Sequence, residues 1–220
     1  MIKGLLFDFD GLILDTENPA FQSWREIYEE YGGLLSFSSW KAAIGTSDEF
    51  DPYEHLQEQL GYEANRELLR RTHSARSSVL INDQSILPGV EEYLSVAKQL
   101  NLRLGVASSS SEEWVLGHLE RLGILRAFDS VKCSDHVKRT KPNPEVYQVL
   151  LDSLGLLPEE TLAFEDSPNG ILAAKRAGIF CVAVPNTLTR KLWLDGADLE
   201  LSSLKSLRLA DLLFQVSNNI

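Results

Sequence analysis

The spacing of apolar residues changes along this chain of 220 residues. The first seven residues, MIKGLLF, contain an apolar run typical of a strand buried on both faces. Between residues 16 and 87, apolar side chains recur every three or four positions, as in ENPAFQSWREIYEEY, which predicts helices. After residue 88, apolar runs such as LRLGVAS and IFCVAVP alternate with helical patterns. The pattern therefore predicts two parts of different architecture.

The alternation of strands and helices after residue 88 predicts an α/β fold with a parallel sheet and helices on both faces. The N-terminal strand needs that sheet to bury its apolar side chains. We therefore expect residues 1–14 and 88–220 to form one Rossmann-like, doubly wound core domain. Residues 15–87 are then inserted into it as an α-helical cap domain.

Polar groups follow three of the predicted strands. Asp8 and Asp10 follow the first strand, Glu165 and Asp166 end another, and the hydroxyls of residues 108–110 end a third. Ligands of open parallel sheets bind outside the carboxyl ends of the strands, so these groups are expected at one edge. Buried carboxylates are costly unless they share a cation, and clustered hard oxygen ligands suit Mg²⁺.

A lysine and a helix start add positive potential to this edge. Lys141 lies in KRTKPNPEVY, and the hydroxyls of residues 108–110 precede a predicted helix whose N-terminus favours anions. A carboxylate nucleophile, a metal site, a lysine and hydroxyl donors are the parts that a phosphoryl transfer enzyme requires. The residues thus favour an enzyme acting on a phosphorylated substrate.

Four motifs in one order, DFDGLILDTE, VASSS, KPNPEVY and FEDSPNGILAAKRAG, make the chain resemble the haloacid dehalogenase superfamily over nearly its whole length. The resembling branch carries a helical cap after its first strand. The resemblance implies that Asp8 is the nucleophile and Asp10 the general acid and base. It further implies that Ser108 contacts the phosphoryl group and that Lys141 orders the nucleophile and the phosphate.

The same resemblance implies a Mg²⁺ cofactor. Its ligands would be Asp8, Asp166 and the main-chain carbonyl of Asp10. For Glu165 three roles stay open: a direct ligand, a partner through water, or support of the metal site. The cap is expected to act as a mobile lid over this site.

Further substrate contacts are expected from both parts of the chain. Ser109 and Ser110 are candidates on the core side, and Thr16, Gly45 and Thr46 are candidates on the cap side. A basic cluster in the cap is interpreted as a solvated helix face rather than a substrate clamp; it comprises Arg70, Arg71, Arg76 and His73. His55, His118 and His136 are likewise expected on the surface or on helix faces.

Members of the superfamily that remove halides carry an aromatic residue in place of Asp10, so Asp10 indicates a phosphate ester, such as a phosphorylated sugar. Phosphosugar mutases of the family carry a histidine at the position of Ala20 and an arginine in the cap loop, where this chain has an acidic segment around Asp48. Hydrolysis is therefore favoured over the alternative of a β-phosphoglucomutase-like mutase. A non-catalytic binding protein on the same scaffold is the third alternative.

Net charge and composition limit which classes of ligand and which cellular location the sequence predicts. The net charge of -11 disfavours nucleic acid, which requires clustered basic residues, but permits a small anionic ligand. Cys133 and Cys181 follow no metal or redox spacing and are expected as buried free thiols in a reducing cytoplasm. No apolar run approaches the roughly 18 residues of a membrane span. We therefore expect a cytoplasmic protein, and a monomer is the default expectation for its assembly.

Overall fold

The computed structural model describes residues 1–41, 44, 50–192 and 194–219. Within them, six parallel strands form one sheet in the order β3-β2-β1-β4-β5-β6. The chain thus winds outward from a central β1 in both directions, which confirms the predicted doubly wound α/β fold. The strands are β1 Gly4–Phe7, β2 Arg103–Ala107, β3 Ser130–Lys132, β4 Thr161–Glu165, β5 Phe180–Ala183 and β6 Leu199–Glu200.

In the part of the chain that the structure describes, five helices cover the two faces of the sheet, and the first four helices of the chain pack together in a core of their own. The helices are α1 Glu17–Tyr31, α2 Phe37–Trp40, α3 Pro52–Leu60, α4 Arg66–Asn82, α5 Val90–Gln99, α6 Glu112–Arg121, α7 Glu145–Leu154, α8 Pro168–Arg176 and α9 Leu209–Asn219.

The central strand is apolar on both sides because each of its faces has its own hydrophobic core. Leu5 and Phe7 pack into the core formed with α5, α6 and α9. Leu6 points the other way and packs against α7 and α8. Each of these three side chains is fully buried. Successive strand residues alternate between faces, so the continuous apolar run of β1 is what a central strand needs.

Helices α1 to α4 have a separate hydrophobic core around Trp24 and Tyr28. Helix α1 ends at Gly32, whose φ of 81° lies in the left-handed region that glycine adopts without steric cost. The helical content predicted for this segment is therefore present. The domain boundaries at residues 15 and 87 stay a prediction.

The arginines of the basic cluster lie on exposed helix surface. Arg70 and Arg71 pair with Glu67, and Arg76 pairs with Glu30. Surface pairs of this kind contribute little to stability. The interpretation as a solvated face fits these three arginines but is wrong for His73, whose ring stacks on Trp24 with 4.7 Å between centroids.

Two other predictions concern the whole molecule. Cys133 and Cys181 are free and buried, as expected. None of the helices in the described residues combines the length and apolarity needed to traverse a lipid bilayer.

Candidate active site

The acidic and hydroxyl residues predicted to meet do so at the carboxyl ends of three neighbouring strands. Asp8 follows β1, Ser108 follows β2 and Asp166 follows β4, and both β2 and β4 pair with β1. These three residues are 1–6% exposed. The turn after β1 depends on Gly11, which has a φ of +83° and on which a Cβ would lie 2.2 Å from the Asp166 carboxylate.

Lys141 reaches the same place from the loop before α7. Its Nζ lies 2.5 Å from Oδ1 of Asp8 and 2.7 Å from Oε1 of Glu165, and it donates a 2.8 Å hydrogen bond to the Ala107 carbonyl. Lys141 is 4% exposed, so its charge is buried with its partners. The lysine is held directly beside the expected nucleophile, which is the arrangement needed to bind an incoming phosphoryl oxygen.

Three buried acids surround this single lysine. One carboxylate oxygen each from Asp8, Glu165 and Asp166 lies within 4.8 Å of the others. Burial, together with repulsion by Glu165 and Asp10, raises the pKa of Asp8 to about 8, although Lys141 opposes the shift. Burial and the neighbouring acids likewise hold the pKa of Asp166 well above its usual range. The cluster thus has a deficit of positive charge that a divalent cation would relieve.

Glu165 is fully buried and points toward Lys141 and α7. Its Oε1 accepts a 2.5 Å hydrogen bond from the Tyr147 hydroxyl, whereas its Oε2 has no hydrogen-bond partner among the described residues. A Cβ on Gly170 would lie 1.8 Å from this Oε2, so the glycine provides the space that the carboxylate occupies. The deficit of positive charge among the three clustered carboxylates fits a site built around a cation.

The Asp166 carboxylate is oriented by an amide from the loop after β5. Asn186 donates from Nδ2 to Oδ2 of Asp166 at 2.8 Å and to the Gly11 carbonyl at 3.2 Å. Its own Oδ1 accepts from the main-chain nitrogens of Leu188 and Thr189. Asn186 therefore connects the expected metal ligand to a fixed turn of the backbone.

The Asp10 carboxylate accepts four hydrogen bonds. Thr16 Oγ1 and Trp114 Nε1 donate to Oδ1 at 2.9 and 3.0 Å. Ser110 and Ser108 donate from Oγ to Oδ2 at 2.7 and 3.3 Å. Although Thr16 occupies the position before α1, its side chain makes no capping bond there. The Thr16 hydroxyl instead donates its hydrogen bond to Asp10.

A cavity of about 350 Å³ opens above these groups. Its core wall includes Asp8, Asp10, Lys141, Asp166, Ser109 and Ser110. The opposite wall, called the cap wall below, includes Thr16, Glu17, Ala20, His73, Ser77 and Ile81. The volume suits a small ligand. The structure thus brings Thr16, Ser109 and Ser110 to the cavity. The predicted contacts Gly45 and Thr46, and Asp48, lie outside the described residues.

Two titratable groups of the cap wall have shifted pKa values. Burial, reinforced by the charges of Asp10, Asp8 and Asp15, raises the pKa of Glu17 to about 8. Burial lowers the pKa of His73 to about 4, so this imidazole is neutral near neutral pH. His73 lines the cavity from α4, with Nδ1 3.1 Å from Oγ of Ser23.

Four polar residues around the cavity were not singled out by the sequence patterns: Tyr147, Asn186, Trp114 and Glu17. Glu17 directly follows Thr16 in the first motif, which was a usable signal. The other three act through partners 18 to 175 positions away in sequence, and no local pattern reports such contacts.

Comparison with known proteins identifies the scaffold. Residues 5–184 match the family model described as "Haloacid dehalogenase-like hydrolase". The chain belongs to this family. Its relatives include "Putative phosphatase YhcW" of Bacillus subtilis (strain 168), 46% identical over 213 residues that span 97% of each chain. The expected resemblance is thereby confirmed.

Two further matches differ in their named activities. A "Phosphorylated carbohydrates phosphatase" of Thermotoga maritima is 32% identical over 179 residues, covering 81% of this chain and 82% of the relative. A solved β-phosphoglucomutase of Clostridium difficile aligns with a TM-score of 0.75 at 26% identity, covering 100% of this chain and 99% of that one. The family therefore includes both named phosphatases and a named mutase.

Proposed function

We propose that this haloacid dehalogenase-like hydrolase is a Mg²⁺-dependent phosphatase of small sugar monophosphates. The observation that carries the proposal is the position of the Asp8 carboxylate, which lies at the bottom of the cavity beside Lys141 and Asp166. This arrangement supports attack by Asp8 on phosphorus. The named activity of the Thermotoga maritima relative supports a phosphorylated carbohydrate as substrate.

In the first step, an Asp8 oxygen forms a bond to phosphorus while the bond from phosphorus to the sugar oxygen breaks. Asp10 donates its proton to the departing oxygen. In the second step, Asp10 takes a proton from water, the water oxygen attacks phosphorus, and the bond to Asp8 breaks. Lys141, which contacts Asp8, and the Ser108 hydroxyl would bind phosphoryl oxygens in both steps.

Asp8, Asp166 and the main-chain carbonyl of Asp10 would hold Mg²⁺. The ion would supply positive charge to the phosphoryl oxygens. Glu165 is better suited to support this site than to bind the ion directly, because its Oε1 is occupied by Lys141 and Tyr147 and its Oε2 lies against Gly170 of α8. Its role as support is part of the proposal.

The cap wall favours a hydrolase over a mutase. A mutase must retain a bisphosphorylated sugar, and its second phosphate needs a cationic partner. In the described part of the cavity, Lys141 is the only lysine or arginine, and it contacts Asp8 and Glu165 on the core wall. Residues 42, 43 and 45–49 are Ala, Ala, Gly, Thr, Ser, Asp and Glu, so this segment brings no basic side chain. Ala20 lines the cavity where a mutase carries a histidine.

The test is release of inorganic phosphate from a panel of sugar monophosphates, with Mg²⁺ and with EDTA. We expect release from at least one sugar phosphate with Mg²⁺ and none with EDTA. We also expect no conversion of a sugar 1-phosphate to its 6-phosphate. Conversion without net phosphate release would establish the mutase, and binding without turnover would establish the binding protein.

The matched variant for this test is Asp8→Asn, which preserves the shape of the side chain but removes the nucleophile. We expect turnover to fall by at least about 10⁴-fold, since catalytic groups that act as a unit lose most of their effect together. Circular dichroism and the melting temperature verify that the variant is folded. Near-normal turnover by Asp8→Asn would remove Asp8 from this role. The monomeric state and the cytoplasmic location stay predictions.

A further inference from the structure

The four hydrogen bonds on Asp10 come from two kinds of donor. Ser108 and Ser110 donate to Oδ2 from the loop where the phosphoryl group is expected to bind. Thr16 and Trp114 donate to Oδ1 from outside that loop, at 2.9 and 3.0 Å. A bound phosphate that accepts hydrogen bonds from the two serine hydroxyls would therefore remove those bonds from Oδ2. The bonds from Thr16 and Trp114 to Oδ1 would remain. The two oxygens of one carboxylate thus have different neighbours available during the reaction.

We propose that Trp114 is a positioning residue that anchors Oδ1 of Asp10, so that Oδ2 is the oxygen that exchanges the proton with the leaving group. This role rests on the proposed function. An indole nitrogen only donates a hydrogen bond, so Trp114 and the Thr16 hydroxyl, which both donate to Oδ1, favour the state in which Oδ1 carries no proton. The proton that Asp10 gives to the departing sugar oxygen then resides on Oδ2, the oxygen that the serines vacate.

The tryptophan ring is itself fixed in place. Trp114 lies in the first turn of α6, where its main-chain nitrogen donates to the Ser111 hydroxyl. The ring meets the His118 imidazole edge to face, with 4.3 Å between centroids. Its outer surface lines the cavity. The indole N–H is therefore held by helix geometry on one side and by ring packing on the other, as a positioning group requires.

Substrates with different leaving groups separate this role from simple packing. A sugar alkoxide is a poor leaving group and needs the Asp10 proton, whereas p-nitrophenolate leaves without one. The ratio kcat/KM reports all steps up to the first transfer of phosphate to Asp8. A misplaced Asp10 should therefore lower kcat/KM for the sugar phosphate and spare that for p-nitrophenyl phosphate.

The variant is Trp114→Phe, which keeps an aromatic ring against His118 and removes the donor. We expect kcat/KM for the best sugar phosphate of the panel to fall about tenfold, and kcat/KM for p-nitrophenyl phosphate to change by less than about twofold. Both substrates are measured on one preparation, so any loss of folded protein cancels in the ratio of the two values. An unchanged ratio would overturn the proposal.

A double-mutant cycle with Asp10→Asn provides the control. If Trp114 acts through Asp10, adding Trp114→Phe to the Asp10→Asn variant should not change the ratio of the two kcat/KM values further, because the asparagine side chain carries no acidic proton to donate. Additive effects on the ratio would show that Trp114 acts independently of Asp10 and would contradict the proposal. A wild-type protein that hydrolyses neither ester would contradict the proposed function and, with it, this role for Trp114.

Discussion

The two walls of the cavity are built differently. On the core wall, Lys141 contacts Asp8, Glu165 and a main-chain carbonyl, and Asp10 accepts four hydrogen bonds. On the cap wall, Glu17 has no hydrogen-bond partner within the described ranges. This mutual support holds the core groups in place, as chemistry on a single phosphoryl group demands. Glu17 therefore has fewer constraints than the core groups, and its substitution would remove no hydrogen bond from them.

This contrast indicates a division of labour. We infer that the core wall would set the reaction and that the cap wall would select the molecule that carries the phosphate. Relatives with one fold and different named activities agree with such a division. Substitutions on the core side should therefore alter metal binding or stability, whereas substitutions on the cap side should have milder effects.

The largest effect is expected for the second layer of the core wall. Asn186→Ala removes the amide that orients Asp166, so we expect the Mg²⁺ concentration for half-maximal activity to rise about 10- to 100-fold. A Mg²⁺ titration of phosphate release measures this shift. Thr187→Ala is the control on the same loop, because Thr187 contacts Asn18 rather than the acids. Equal Mg²⁺ titrations for wild type and Asn186→Ala would show that Asp166 needs no such support.

The next effect compares two helical glycines. In α8, Gly170→Ala would force its Cβ against the Glu165 carboxylate, so we expect the free energy of unfolding to fall by about 1–3 kcal/mol. In α6, Gly117 has no atom within 4 Å of an added Cβ. Gly117→Ala should therefore raise the free energy of unfolding by about 0.5–1 kcal/mol, because alanine favours the helix.

Urea unfolding of the two glycine variants gives both values. Changes of opposite sign in the free energy of unfolding would support the view that the core wall has no space for an added methyl group beside Glu165. A neutral Gly170→Ala would mean that the Glu165 carboxylate can move aside, and the support role proposed for it would then fail.

The smallest effect concerns the cap wall and its pH dependence. The pKa of Glu17 is raised to about 8 in the folded protein, against 4.5 for an unperturbed glutamate. The folded state therefore binds more protons than the unfolded state between these values, and stability falls as pH rises from about 4.5 to 8. The Glu17→Gln variant should lack the part of this fall in stability that comes from Glu17. It should therefore be more stable than the wild type at pH 8.

Melting temperatures of metal-free protein in EDTA across this pH range measure the effect. Glu58→Gln, at an exposed site on α3, is the matched control. Parallel curves for wild type and Glu17→Gln would show that the Glu17 carboxylate is solvated, and the cap wall would then be more open than the cavity suggests.

The sequence alone determined the fold class and the core of the candidate site. Strand ends in a parallel sheet must converge, so carboxylates after β1 and β4 and hydroxyls after β2 could be placed together without coordinates. The apolar run of β1 required two covering layers, and both are present. Periodicity and strand-end chemistry are local properties, which is why they can be recognised along the chain.

Only the tertiary structure decided which groups complete that site. Trp114 reaches Asp10 across 104 positions, and Asn186 reaches Gly11 across 175. The direction of the Glu165 side chain, toward Tyr147 rather than into the cavity, depends on the packing of α7 against the sheet. A hydrogen bond between distant elements depends on how helices and loops pack, and residue spacing along one element carries no information about that packing.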